Sequence, residues 1–146
     1  TGVCSSRNVE LVRSIGADQV IDYTQENFTQ NGQCYDLIVD IAANHSLSVL
    51  ERSLTPNGIC VVVGFSSLIH MIQVRIQGPR ISKAGSKKMG MLLPEKDDTD
   101  LVVMKELLEA GRVAPVIDRH YPFSEVAEAI RYLEEGHARG KIVISM

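Results

Sequence analysis

The chain has 146 residues, 45% apolar and 23% charged, with a net charge of -3, which suits one ordinary globular domain with a real core. A nucleic-acid surface is excluded, because the densest basic stretch, Lys83 to Lys88, holds three lysines without interleaved aromatics and reads as a short mobile loop. No apolar run approaches the ~20 residues of a bilayer span, and the start of the chain lacks a signal-peptide pattern, so a cytoplasmic protein without a membrane partner is expected.

Thr1-Gly-Val-Cys-Ser5 is predicted as a strand, and a chain that opens inside a strand reads as a piece of something longer. Ser5 and Ser6 are helix-cap residues, and Val9, Val12 and Ile15 follow at helical spacing up to Gly16. Gln19 to Tyr23 is a second predicted strand, after which Thr24 is expected to cap a short helix carrying Phe28. Tyr35 to Ala42 is a third; Leu37, Ile38 and Val39 are apolar on both alternating faces, which suits a strand covered on both sides. Leu47, Leu50 and Leu54 mark one face of a helix that stops before Pro56-Asn-Gly58, and Gly58 to Phe65 is a fourth, nearly continuous apolar strand.

Ile69 to Ile76 fits a helix that Gly78-Pro79 should break. Lys88 to Leu93 is a fifth strand. Asp98 or Thr99 caps a helix with Leu101, Met104 and Leu108 on one face, closed by Gly111, and Val113 to Ile117 is a short extended piece. Ser124 caps a helix striped by Val126, Ala129, Ile130 and Leu133 and ended by Gly136; Lys141 to Ser145 is the last strand. Alternating strands and helices force parallel pairing, so the fold class is α/β, a doubly wound, mostly parallel sheet taken as one structural unit.

In such a sheet ligands lie across the carboxyl ends of the strands. After the first strand stands Ser5-Ser6-Arg7-Asn8, with small hydroxyls and a guanidinium where a carboxylate would accept from both ribose hydroxyls of an unphosphorylated dinucleotide. Those groups suit an anionic 2′-phosphate; taken without further context, Ser5 caps the helix and Arg7 is a solvated charge, because serine caps are common. Tyr23 ends the second strand, a packing residue or a cover for adenosine. Ile41, Ala42, Gly64 and Phe65 follow the third and fourth strands, as plain turns or as small residues that let a ring approach the backbone. Cys4, Cys34 and Cys60 lack zinc-ligand spacing and read as buried thiols; His45, His70, His120 and His137 read as surface or capping residues, and no metal is expected.

The stretch from Cys4 to Thr24, with its block Gly16-Ala-Asp-Gln-Val-Ile-Asp-Tyr23, resembles what medium-chain dehydrogenases/reductases carry after their glycine motif. Tyr35-Asp-Leu-Ile-Val-Asp40, Leu54-Thr-Pro-Asn-Gly58 and Gly136-His-Ala-Arg-Gly-Lys-Ile-Val-Ile144 resemble the same family, and its zinc-free, quinone-oxidoreductase-like branch in particular. The resemblance covers essentially the whole chain. It implies a Rossmann-like sheet lacking its first strand and glycine-rich loop, and an NADPH-dependent parent acting on quinones or α,β-unsaturated carbonyls. By the same resemblance Ser5, Arg7 and Tyr23 meet the 2′-phosphate of NADP, Ile41, Ala42, Gly64 and Phe65 flank the nicotinamide ribose, and Lys141 lies near the cofactor phosphates. A piece without the glycine turn is expected to bind cofactor weakly, to be inactive alone, and to self-associate through exposed strand edges as a homo-oligomer.

Overall fold

The computed structural model describes residues 1–41, 44–64, 67–92 and 97–146. The sequence reads as one unit; contacts group the chain into two compact units, Thr1–Pro94 and Glu95–Met146.

In the first unit, β1 (Gly2–Cys4) pairs in parallel with β2 (Val20–Asp22), with Cys4 opposite Asp22. A 3₁₀ turn over Ser6–Asn8 and α1 (Val9–Ser14) connect them, and Gly16, at φ 107°, takes the left-handed backbone that ends the helix. Gly2 lies so close to Val12 that a Cβ there would collide with its side chain, which seats α1 on β1. The predicted helix after Thr24 does not form. Asp22, Asn27 and Asn31 each accept the backbone N–H two residues on, at 2.9, 3.0 and 3.0 Å, and these side-chain turns take the place of helical bonds.

A second parallel sheet has the order β3 (Tyr35–Asp40), β4 (Leu54–Val62), β5 (Lys88–Met91). α2 (Leu47–Arg52) precedes β4, and Leu54, read as the end of its face, is instead the first residue of that strand. Between Leu54 and Ile59 the β4 register jumps; Asn57 has φ 69° and Gly58 sits 3.0 Å, at its would-be Cβ, from both the Thr55 and Tyr35 carbonyl oxygens. The core gathers Leu47 and Leu50 of α2, Leu54, Cys60 and Val62 of β4, with Ile38, Val74 and Met89. Burying each large aliphatic of this set contributes about 1.5–3 kcal/mol.

α3 (Leu68–Ala84) runs through Gly78-Pro79, contrary to the predicted break. The would-be Cβ of Gly78 stands 3.0 Å from the Met89 carbonyl oxygen, so a bare backbone lets the helix rest on β5. Ser82 completes the seam: its Oγ accepts the Met89 N–H at 2.9 Å and lies 2.9 Å from the Gly78 carbonyl as donor. The Lys83–Lys88 segment is therefore split between the end of α3, a turn and β5, with Lys87 Nζ donating to the Glu51 carbonyl at 2.6 Å. The fifth strand ends at Met91; Leu93 lies outside the described residues.

β3 departs from expectation. Ile38 is buried, but Leu37 and Val39 are 58% and 53% exposed, so one face of the strand is uncovered. Among the described residues β1 pairs only with β2 and β3 only with β4. Between their open edges runs a groove of about 920 Å³, lined by Gly2, Val3, Tyr23, Phe28, Leu37 and Val39 among others.

In the second unit, Asp97 rather than Asp98 or Thr99 caps α4 (Asp98–Glu109), accepting the Thr99 N–H at 2.9 Å; no α4 residue is buried, Leu101, Met104 and Leu108 included. The extended piece lies later than predicted, as β6 (Ile117–Pro122), parallel to β7 (Lys141–Ser145). A 3₁₀ turn over Phe123–Glu125 leads into α5 (Val126–Glu134); Ser124 makes no cap, and of the predicted stripe Ala129 is buried while Ile130 and Leu133 are exposed. Asp118 ties the unit together, accepting from the Arg139 N–H at 2.7 Å and the Tyr132 hydroxyl at 2.9 Å.

Candidate functional site

The carboxyl ends of β1 and β2 lie side by side because the strands pair in parallel, and the Tyr23 N–H closes the ladder onto the Cys4 carbonyl at 3.0 Å. Ser5 and Arg7 leave β1 at this rim; Arg7 is exposed and Ser5, half-buried, makes no side-chain cap bond, so capping does not account for it. Tyr23 is 62% exposed on the same rim, and it also lines the groove.

Asp22 is the residue that the sequence reading missed. No carboxylate directly follows the first strand, and one stands at the end of the second. The Ser6 hydroxyl donates to its Oδ2 at 2.5 Å, the Thr24 hydroxyl to its Oδ1 at 2.7 Å, and the Thr24 N–H to the same oxygen. These hydrogen bonds, that from Ser6 first, hold the carboxyl below the usual aspartate range. The signal was present in the parallel register, which sets Cys4 opposite Asp22 and so brings the next residues on each strand together.

At the far side of the groove Ile41 follows β3, exposed, and Gly64 follows β4. The two meet: a Cβ on Gly64 would collide with the Ile41 carbonyl oxygen, so this turn requires glycine. Tyr23 and Ile41 both line the groove, whereas Ser5, Arg7 and Gly64 are not among its lining residues. Ala42 and Phe65 lie outside the described residues. Lys141 opens β7 in the second unit, exposed, with its N–H on the Val116 carbonyl at 2.7 Å.

The thiols differ in setting. Cys60 is fully buried and its pKa is pushed up to about 11, by burial first and by Asp40 second. Cys4 is half-buried and Cys34 exposed, against the expectation of three buried thiols. His70 is buried in α3, not a surface residue, and His45 packs edge-on against Phe28 with ring centroids 5.0 Å apart. Among the described residues no three His, Cys, Asp or Glu side chains group as metal ligands would, and no helix is long and apolar enough to cross a membrane.

Parallel strands joined by helices define a Rossmann-like α/β fold. A family profile described as zinc-binding dehydrogenase matches residues 15–144. The chain is 33% identical over 150 residues to a chloroplast envelope quinone oxidoreductase homolog of Arabidopsis thaliana, covering 99% of this chain and 44% of that protein. It is 32% identical over 170 residues to the mitochondrial NAD(P)H oxidoreductase RTN4IP1 of Mus musculus, covering all of this chain and 41% of that one. The solved quinone oxidoreductase from Coxiella burnetii superposes with a TM-score of 0.71 at 24% identity, over 99% of this chain and 44% of its own, a likeness of fold. The chain belongs to the zinc-binding dehydrogenase family, in the quinone-oxidoreductase-like branch of the medium-chain dehydrogenase/reductase superfamily. It spans under half the length of these relatives.

Proposed function

We propose that the chain is the cofactor-binding portion of an NADPH-dependent, zinc-independent oxidoreductase that reduces quinones or α,β-unsaturated carbonyls in the cytoplasm. The observation that carries this reading is the β1–β2 rim, where Ser5 and Arg7 offer a hydroxyl and a guanidinium beside exposed Tyr23. A planar guanidinium is well matched to a phosphate. The nicotinamide supplies the hydride when bound, and the protein's part is to hold and orient it. Ser5, Arg7 and Tyr23 take the adenosine end, Ile41, Ala42, Gly64 and Phe65 flank the nicotinamide ribose, and Lys141 faces the phosphates. Quinones are themselves conjugated enones, so one hydride chemistry serves both substrate classes.

In this reading the strand and glycine turn that hold the pyrophosphate belong to a longer protein, and the 146 residues alone are inactive. The test is to assay the full-length protein with a simple benzoquinone and each cofactor. A higher kcat/KM with NADPH supports the reading; a clear preference for NADH removes the argument from Ser5 and Arg7.

A second reading is a non-catalytic module that self-associates. The open edges of β1 and β3, flanking a groove with exposed Val3, Leu37 and Val39, favour it, because unpaired edges recruit strands. Light scattering behind size exclusion decides: a dimer or larger assembly supports self-association, and a stable monomer that binds no further chain counts against it.

A further inference from the structure

We infer that Asp22 is a specificity-determining residue of the adenosine-ribose site, holding the preference for a 2′-phosphate in check so that both NADPH and NADH are accepted. The inference rests on the cofactor reading above and concerns the same rim. Each hydroxyl carries one proton. The Ser6 proton goes to Asp22 Oδ2 at 2.5 Å and the Thr24 proton to Oδ1 at 2.7 Å, with the Thr24 N–H also on Oδ1 at 2.9 Å. A carboxylate is a stronger acceptor than a neighbouring hydroxyl, so the 3.0 Å contact between the Ser6 and Thr24 oxygens does not draw either proton away.

What this cluster turns to an incoming ligand is therefore lone pairs and one negative charge. Asp22 also accepts the Ser6 N–H, so a ribose 2′-hydroxyl donates to the remaining lone pairs of the Ser6 and Thr24 hydroxyl oxygens. A 2′-phosphate, all acceptor and about doubly charged, finds no donor there and is repelled by Asp22. Ser5 and Arg7 flank Ser6 in the chain and pull the other way. Two unit charges 5–6 Å apart in water interact by enough to change an equilibrium severalfold, and a phosphate dianion roughly doubles that free energy. Removing the Asp22 charge is thus worth about tenfold in affinity for the phosphorylated ligand.

The experiment titrates the 146-residue chain, wild type and Asp22→Asn, with adenosine 2′,5′-bisphosphate and with 5′-AMP, following the amide resonances of residues 5–8 and 22–24. The expected result is that Asp22→Asn tightens the bisphosphate about tenfold, leaves 5′-AMP within about twofold, and loses most of its gain at 1 M salt, where screening is nearly complete. Thr24→Val keeps the carboxylate but removes one donor from it, and is expected to weaken the bisphosphate relative to 5′-AMP; it serves as the second variant if Asp22→Asn does not fold. An unchanged ratio of the two affinities in these variants overturns the inference while leaving the cofactor site standing. Failure of both probes to perturb these residues in any of the proteins overturns the site itself, and the inference with it.

Discussion

The Oγ of Ser82, in the last turns of α3, accepts the N–H of Met89 in β5 at 2.9 Å. Pro79 removes one helical donor and crowds the carbonyl four residues earlier, and the helix nevertheless continues to Ala84. Just beyond the proline, Ser82 bonds to the Gly78 carbonyl and to the Met89 backbone. Ser82→Ala leaves the Met89 amide without this acceptor and is expected to destabilise the chain by about 1–3 kcal/mol. Urea unfolding measures it; an unchanged midpoint would mean that the seam contributes nothing.

The core and the exposed helix α4 should answer mutation very differently. Leu50 is fully buried, so Leu50→Ala is expected to cost about 2–5 kcal/mol. Leu101 is exposed, and Leu101→Ala should stay within about 0.5 kcal/mol. Equal losses in the two variants would place a partner on α4.

Gly64 lies against the Ile41 carbonyl, and Gly64→Ala forces those backbones apart. A loss of about 1–3 kcal/mol is expected, of the size seen on overpacking. Thermal melts and the Ile41 amide shift report it, and a variant as stable as wild type would show that the turn has room to spare.

Thiol labelling at pH 8 should separate the three cysteines. Exposed Cys34 reacts first, half-buried Cys4 follows more slowly, and Cys60, with its pKa pushed up to about 11, reacts only on unfolding. Labelling of Cys60 at the rate of Cys34 in the native chain would contradict its burial.

Asp22, Asp97 and Asp118 are each held below the ordinary value of 3.8 by hydrogen bonds, chiefly from Ser6, Thr99 and the Arg139 N–H respectively. A carboxyl depressed by folding stabilises above its unfolded pKa and loses that contribution as pH falls through the folded value. Stability is therefore expected to be flat from neutral pH to about 5 and to fall below about 4. Asp118→Asn should flatten that acid limb in the second unit, read from melts at several pH values; an unaltered limb would mean that its hydrogen bonds are no tighter folded than unfolded.

Much of this was legible in the residues. The alternation of apolar strands with capped helices gave parallel pairing, and Gly16, Gly111 and Gly136 end their helices with positive φ. What escaped has physical reasons. Gly78-Pro79 reads locally as a break, but the close approach of β5 decides, and that contact spans ten residues or more. Thr24 reads as a cap, but an equally local alternative wins: the Asp22 side chain two residues earlier takes both its hydroxyl and its N–H. Distance along the chain hid Asp22 from the site: its partner Ser6 is sixteen residues away, and only pairing of β1 with β2 brings them together. Leu37 and Val39 are apolar yet uncovered, because the sequence of a strand does not say whether a neighbour is there.

The groove between β1 and β3 also divides the first unit mechanically. No ladder bond joins the two sheets among the described residues, and Ile21 is the buried side chain that the β1–β2 pair contributes, whereas β3, β4 and β5 share a core with α2 and α3. Opening free energies follow such contrasts in contact. Amide protons of β4 should therefore outlast those of β1 and β2 in deuterated solvent, and a ligand strand that bridged the two sheets would make their exchange slow down together.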